Sequence, residues 1–153
     1  PDGLTIKLAN DVASRLVWCH TMAMGFEAPP PRAEFAVKHW SYLLSQLDPE
    51  ITQPYTAWLN GQPVAVSLLQ LGGGVAGIYA VATIPEARRM GIGAQVTLYP
   101  LLQARLRGYK VGILQASPMG LPVYRSLGFR EYCRITSYVW RAAQPEAKSE
   151  AGG

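Results

Sequence analysis

The chain has 153 residues, of which 49% are hydrophobic and 16% are charged, and its formal net charge is +4 at pH 7. This composition excludes a disordered chain and fits one domain with its own apolar core, which we predict over residues 1–141. No apolar run reaches the roughly 20 residues of a membrane span, and the chain opens without a signal peptide. We therefore expect a cytoplasmic protein with no membrane partner.

The first half of the chain is predicted to alternate between strands and helices. In order, we predict a strand at Leu4–Ala9, a helix at Val12–Met24, a helix at about 33–47, strands at Thr52–Leu59 and Pro63–Leu71 around an Asn60-Gly61 turn, and a strand at Val75–Thr83. Pro29-Pro30-Pro31 is expected to form a stiff loop that excludes helix.

The second half continues the alternation. We predict a helix from Gly93 to about Arg107, a strand at Val111–Ala116, a short helix at Met119–Leu127, a final hairpin of Arg130–Tyr132 and Ile135–Arg141, and a disordered tail over residues 142–153. Pro100 is expected to kink its helix or loosen a turn. The order β-α-α-β-β-β-α-β-α-β-β indicates an α/β (α+β) protein with a mixed sheet.

Charge is distributed unevenly along the chain. Basic residues dominate residues 86–141, whereas acidic residues outnumber basic ones over residues 1–85. A basic half can hold a polyanionic cofactor or a nucleic acid, and charge alone does not choose between them. No RNA-binding aromatic motif, zinc-finger spacing or basic run accompanies it, so we expect no nucleic acid and keep nucleic-acid binding as an alternative. Cys19 and Cys133 form no C-x-x-C unit and are expected to be reduced thiols, and no metal is predicted.

An anion site is predicted where the Val75–Thr83 strand meets the following helix. The connection carries Arg88-x-x-Gly91-x-Gly93. The first backbone N–H groups of a helix have no intrahelical partner, and the helix dipole adds partial positive charge there. Glycine lets a phosphate approach the main chain closely, and Arg88 and Arg89 add formal charge.

This segment resembles the pyrophosphate-binding motif of the GNAT acetyltransferase superfamily, Arg/Gln-x-x-Gly-x-Gly/Ala. Downstream, Tyr124-x-x-Leu127-Gly128-Phe129 is similar to the GNAT signature after the fifth strand. The resemblance is strict over residues 78–129. It implies the GNAT fold, with a mixed sheet of about seven strands and helices on both faces.

The resemblance also implies a cofactor and an activity. The co-substrate would be acetyl-coenzyme A, donating its acetyl group to the amine of a small molecule or peptide by direct attack in a ternary complex. Its pantetheine arm would lie along Val81, Ala82 and Thr83, and its pyrophosphate would be held by Arg88, Arg89, Met90, Gly91, Ile92, Gly93 and Ala94. Relatives often dimerise, which leaves a homodimer open.

Two further residues carry competing interpretations. Tyr124 occupies the family's general-acid position, and a phenol with a reference pKa near ~10 can protonate a leaving thiolate, but it can equally be a packed aromatic. Ser117 lies where many members bind pantetheine with an asparagine, or it caps a turn.

No general base is predicted, because neither the fourth nor the fifth strand holds a carboxylate. Glu27 and Glu34 flank the proline loop, which the resemblance implies is one wall of the acceptor pocket, so either could serve as a base there; we favour surface charges for both. His20 and His39 are interpreted as packing or surface residues rather than bases. A core role is favoured for five aromatic residues that could otherwise line an acceptor pocket: Trp18, Trp40, Tyr55, Trp58 and Tyr79. The missing carboxylates keep open a non-catalytic acyl-coenzyme A-binding module.

Overall fold

A computed structural model describes residues 1–140, so Arg141 and the tail predicted over residues 142–153 lie outside the described residues. Its elements are β1 (Leu4–Leu8), α1 (Val12–Gly25), α2 (Pro30–Gln46), β2 (Thr52–Leu59), β3 (Gln62–Gly72), β4 (Val75–Thr83), α3 (Ile92–Leu106), β5 (Val111–Leu114) and α4 (Leu121–Ser126), with a short 3₁₀ turn at Pro85–Ala87. The predicted order is confirmed as far as α4. Within residues 1–140, no helix is long and apolar enough to cross a membrane.

The strands form one mixed sheet in the order β1-β2-β3-β4-β5. The pairs β1–β2, β2–β3 and β3–β4 are antiparallel, and β5 runs parallel to β4. The predicted mixed sheet is confirmed, but it has five strands within the described residues rather than about seven.

Helix α2 begins inside the proline run, so the prediction that this run excludes helix is wrong for two of its three prolines. Pro29 is the N-cap and the helix starts at Pro30. The first backbone N–H groups of a helix have no intrahelical acceptor, so a proline in the first turn loses no hydrogen bond.

Helices cover both faces of the sheet, as the side chains of β3 show. Val66 and Leu68 pack with Trp18 and Met22 of α1. The side chains on the other face of β3 point toward α3, and Leu69 shares a cluster with Ala104 of that helix. A strand buried on both faces is expected to be apolar without alternation, as the run Val64–Leu69 nearly is.

Ser67 resolves the anomaly of Pro100 inside α3. Proline has no N–H, so Pro100 leaves the Val96 carbonyl without its usual helical donor. The buried Ser67 hydroxyl donates to that carbonyl at 2.7 Å, and the Ser67 carbonyl in turn accepts the indole N–H of Trp18 at 3.0 Å. One small polar residue of β3 therefore bonds to a helix on each face of the sheet.

A bulge in β4 shifts its side chains between the two faces. Val66 pairs with Ala82 and Leu68 with Tyr79, so β4 has one residue more than β3 over this stretch. Ala80 takes up the extra length with a φ of 48°, a left-handed conformation that is uncommon for alanine.

The predicted final hairpin is wrong over residues 130–140, which form no strand. β5 is only four residues long, and the chain after α4 instead contacts the helix through Glu131, which forms an ion pair with Arg125 of α4 at 3.1 Å and a second with Arg134 of its own segment at 3.0 Å. An apolar alternating sequence forms a strand only where a partner strand and a packing surface are available.

Candidate active site

The sheet opens between β4 and β5, where the cofactor arm was predicted. β5 pairs with β4 only from Val75 to Ile78, although β4 continues to Thr83. Over the described residues, the main chain of Tyr79–Thr83 therefore has β3 on one side and no strand on the other. Val81, Ala82 and Thr83, the residues predicted to bind pantetheine, lie along this open edge, with Ala82 buried and the other two partly buried.

The open edge leads directly into an uncapped helix start. Gly91 is the N-cap of α3, with a φ of 75° and no side chain to bond the first turn, and no acidic residue lies in that turn. The N–H groups of Ile92, Gly93 and Ala94 thus have no intrahelical partner. The helix start lies close to the strand end, since a Cβ placed on Gly93 would be 3.7 Å from the Thr83 hydroxyl. An anion is favoured here by both the N–H groups and the helix dipole.

The two arginines before this turn have different surroundings. Arg88 is partly buried, and its guanidinium donates to the Thr83 carbonyl, the Gly25 carbonyl and the Glu27 carboxylate. Arg89 is exposed, with a φ of 63°. Met90, the next residue, is 45% exposed. Arg89 is therefore the arginine that a bound phosphate reaches without breaking existing hydrogen bonds.

Tyr124 is buried, and its environment keeps the phenol protonated. Burial raises the pKa of the Tyr124 phenol above its ordinary value of 10.0, and the neighbouring Thr97 hydroxyl partly offsets the rise. Thr97 lies in α3, where its hydroxyl donates to the Gly93 carbonyl at 2.8 Å. Thr97 is thus a neighbour of the phenol that bonds to the first turn of α3, and the sequence motifs alone did not indicate it.

The Tyr124 ring is positioned by its neighbours on both sides. It meets Phe129 edge to face with ring centroids 6.2 Å apart. A Cβ on Gly120 would come 2.8 Å from a ring carbon, so the ring lies directly over that glycine. Both roles predicted for Tyr124, general acid and packed aromatic, are compatible with this position.

Ser117 lies in the turn that leads into α4. Its side-chain oxygen accepts the Gly120 N–H at 3.1 Å, and its carbonyl accepts the Leu121 N–H. This hydroxyl can still donate to a ligand while it accepts the turn bond. Ser117 and Tyr124 also line a cavity of about 1440 Å³ between α3, β5 and residues 128–137, which does not reach the glycine turn.

The candidate bases belong to α1, α2 and the loop between them. The Glu27 carboxylate is paired with Arg88 at 3.0 Å. Glu34 and His20 are exposed and line a separate cavity of about 550 Å³ between α1 and α2. His39 is exposed and stacks on Phe35. Among these residues, Glu27 approaches the end of β4 through its arginine partner and the rest belong to the outer helices.

The aromatic residues divide between the core and the open edge. Trp18 and Tyr55 are buried core residues, and Trp40 packs edge to face on Trp18 at 5.8 Å. Tyr79 is 40% exposed and lies next to the Ala80 bulge. A core role is therefore wrong for Tyr79, whose ring lies over Gly77 of the same strand.

Solved structures of acetyltransferases share this fold, including the following three. A GCN5-related N-acetyltransferase from Ralstonia eutropha is 21% identical, with a TM-score of 0.67 and coverage of 90% of this chain and 99% of that chain. A predicted acetyltransferase from Clostridium acetobutylicum, solved with acetyl-CoA, is 20% identical, with a TM-score of 0.67 and coverage of 89% and 96%. An aminoglycoside acetyltransferase from an uncultured soil metagenomic sample, solved with sisomicin, is 18% identical, with a TM-score of 0.70 and coverage of 93% and 98%.

These likenesses concern the fold, and a family model extends them to the sequence. No curated protein sequence matches the chain. The model of the acetyltransferase (GNAT) family matches residues 15–129, a range that contains both the glycine turn and Tyr124. Since the match spans well over half of the sequence, the chain belongs to the GNAT acetyltransferase family.

Proposed function

We propose that this protein is an acetyl-coenzyme A-dependent N-acetyltransferase that transfers the acetyl group directly to an amine. The observation that carries the proposal is the continuity of the open β4 edge with the uncapped start of α3. Amide groups of an extended pantetheine arm can pair with Val81–Thr83 as an added strand, while the pyrophosphate meets the N–H groups after Gly91. The family neighbour solved with acetyl-CoA supports the same co-substrate.

In the proposed reaction, a neutral amine nitrogen attacks the thioester carbon. The new C–N bond forms, the C–S bond breaks, and the amine nitrogen releases a proton. Main-chain N–H groups along the open edge of β4 would stabilise the oxygen of the tetrahedral intermediate. Tyr124 would donate a proton to the departing thiolate, a role that its raised pKa favours because the phenol stays neutral well above physiological pH.

The proton of the amine is proposed to leave through water. The β4 segment Tyr79–Thr83 holds no carboxylate, and Glu27 is held in an ion pair. The acidic excess over residues 1–85 favours a small cationic amine as acceptor. A family neighbour solved with the aminoglycoside sisomicin makes polyamines a sensible first class to test. A cytoplasmic location and a homodimer remain predictions.

The first experiment is calorimetric titration of acetyl-coenzyme A into wild type, Gly91→Glu and Gly108→Glu. Both glycines have positive φ and open space around the missing side chain, and they lie at opposite ends of α3. Both variants therefore place a side chain at a positive φ and add the same new charge, but only Gly91→Glu puts that charge at the pyrophosphate position. We expect micromolar binding by wild type and Gly108→Glu, and a loss of at least about tenfold for Gly91→Glu.

Each other result has a defined meaning. Equal losses in both glycine variants would show that strain rather than site geometry governs binding, and no binding by wild type would remove the acetyltransferase proposal. Binding without coenzyme A release across a panel of amines would favour the non-catalytic acyl-coenzyme A module. Steeply salt-dependent affinity for generic DNA or RNA would favour the nucleic-acid alternative.

A further inference from the structure

Arg88 forms three hydrogen bonds within the protein. Its Nε donates to the Thr83 carbonyl at 3.1 Å, one terminal nitrogen donates to the Gly25 carbonyl at 3.0 Å, and the other donates to the Glu27 carboxylate at 3.0 Å. The side chain is 29% exposed. A guanidinium has five N–H donors in a rigid fork, and here each of its three nitrogens has an acceptor.

These acceptors lie on two elements that are far apart in the chain. Thr83 ends β4, whereas Gly25 ends α1 and Glu27 follows it in a left-handed conformation with a φ of 52°. The two ends also touch, because a Cβ on Gly25 would fall 2.8 Å from the Ala82 Cβ and 3.2 Å from the Thr83 nitrogen. The loop after α1 therefore lies on the main chain at the end of the open β4 edge.

The C-terminus of α1 lacks a cation of its own. The last carbonyls of a helix have no intrahelical donor and form the negative end of the helix dipole, so a basic residue there is stabilising. α1 has no basic residue in its last turn. Arg88, from the segment after β4, supplies the missing positive charge and donates to the Gly25 carbonyl.

We propose that Arg88 is a positioning residue that ties the Gly25–Pro29 loop to the end of β4, and that Arg89 rather than Arg88 supplies side-chain charge to the phosphates. The proposal rests on the proposed function, since it assigns the two arginines of the same cofactor site. Arg88 belongs to the glycine turn through its main chain and to the α1 loop through its side chain. It thereby holds a loop with the exposed Phe26 against the Thr83 end of β4, next to the start of α3.

The role proposed for Arg88 can be tested in the protein without a ligand. Three amides report on the loop: Phe26 donates to the Met22 carbonyl, Glu27 to the Met24 carbonyl and Ala28 to the Ala23 carbonyl. We expect Arg88→Gln to speed hydrogen exchange of these amides about tenfold, as expected for loss of charge-assisted hydrogen bonds. Arg88→Lys should do nearly the same, because a single ammonium does not reach three divergent acceptors. Arg89→Gln should leave them unchanged.

Calorimetry separates the tie from a phosphate contact. Arg88→Gln should change the dissociation constant of acetyl-coenzyme A by less than about threefold, whereas Arg89→Gln should weaken binding more and reduce its salt dependence. Unchanged exchange of β2 and β3 amides would exclude general unfolding as the cause.

Several outcomes would overturn the tie. They are unchanged loop exchange in Arg88→Gln, wild-type exchange in Arg88→Lys, or a loss of acetyl-coenzyme A binding in Arg88→Gln that exceeds the loss in Arg89→Gln. Failure of wild type to bind acetyl-coenzyme A would instead defeat the proposed function, and the exchange of the ligand-free loop amides would still decide whether Arg88 ties the loop.

Discussion

Two regions of the sheet, the β1–β4 side and the β5 side with the C-terminal segment, differ in how completely their apolar residues are covered. On the β1–β4 side, β2 and β3 are buried between helices along most of their length. On the β5 side, Val111 and Ile113 are 53% and 42% exposed, and Tyr138 and Trp140 in the following segment are more than four-fifths exposed. The comparison shows that apolar content alone does not make a strand, because the apolar residues of segment 130–140 stay exposed and form none.

The two cysteines should give the largest contrast between these sides. Cys19 is buried in the α1 core, where burial raises the pKa of its thiol to about 11, whereas Cys133 is exposed. Only the thiolate reacts, so at pH 8 a disulfide reagent should label Cys133 at least about 10³-fold faster than Cys19, which must wait for the core to open.

A Cys133→Ser variant provides the control for this measurement. It should abolish the fast phase and leave only slow labelling of Cys19, and a denaturant should make both wild-type thiols fast. Two fast phases in the native protein would mean that the α1 core opens readily. Two slow phases would mean that residues near Cys133 are covered by a second copy.

Truncation of one core side chain should give the next largest effect. Trp18 is fully buried and its indole N–H donates to the Ser67 carbonyl, so Trp18→Ala should lower the free energy of unfolding by about 3–5 kcal/mol. Val111→Ala on the exposed side should cost less than about 0.5 kcal/mol. Urea titration followed by circular dichroism measures both, and similar losses would contradict the difference between the two sides.

Local signals explain which parts of the covered side could be predicted. The Asn60-Gly61 turn has positive φ at both residues, as its residue types require, and the β4–α3 glycine turn lies where its motif indicated. The strand Thr52–Leu59 has its predicted bounds. Each of these features depends on a few adjacent residues whose backbone preferences are strong.

Features that depend on residues far apart in the sequence could not be predicted from local patterns. Arg88 bonds to Gly25 and Glu27, which are 63 and 61 residues away, and no local pattern links them. The Ala80 bulge is a property of the β3–β4 pairing and carries no glycine to mark it. The final hairpin failed for the opposite reason, since its local pattern favours strand but residues 130–140 do not pair with β5, the strand at that edge of the sheet.

The comparison extends to catalysis through two tyrosines, one buried and one exposed. Tyr124→Phe should lower kcat about 10²-fold, as removal of a general acid does, whereas Tyr138→Phe, a 91% exposed position, should have no effect. Wild-type kcat should fall as the pH rises through the raised pKa of Tyr124, because only the protonated phenol donates, and this basic limb should be absent in Tyr124→Phe. An unchanged kcat in Tyr124→Phe would assign Tyr124 a packing role.

The same pKa shift has a consequence for stability. Because the folded protein favours the neutral phenol, the stabilisation is complete below the unfolded pKa of 10.0 and is lost as the pH rises through the higher folded value. Tyr55, whose phenol pKa is also raised by burial, acts in the same direction. Wild type should therefore lose stability in strongly alkaline solution, and Tyr124→Phe should lose less.

The smallest effect is expected for the exposed aromatic residues of the C-terminal segment. Trp140 is 85% exposed, so Trp140→Ser should change the free energy of unfolding by less than about 0.5 kcal/mol in dilute solution. Urea titration at two protein concentrations, with sedimentation on the same samples, measures this. A larger loss that grows with protein concentration would show that a second copy covers Trp140, because only association makes stability depend on concentration. In that case the exposed side would be an interface between two copies, and the second copy would cover its apolar residues.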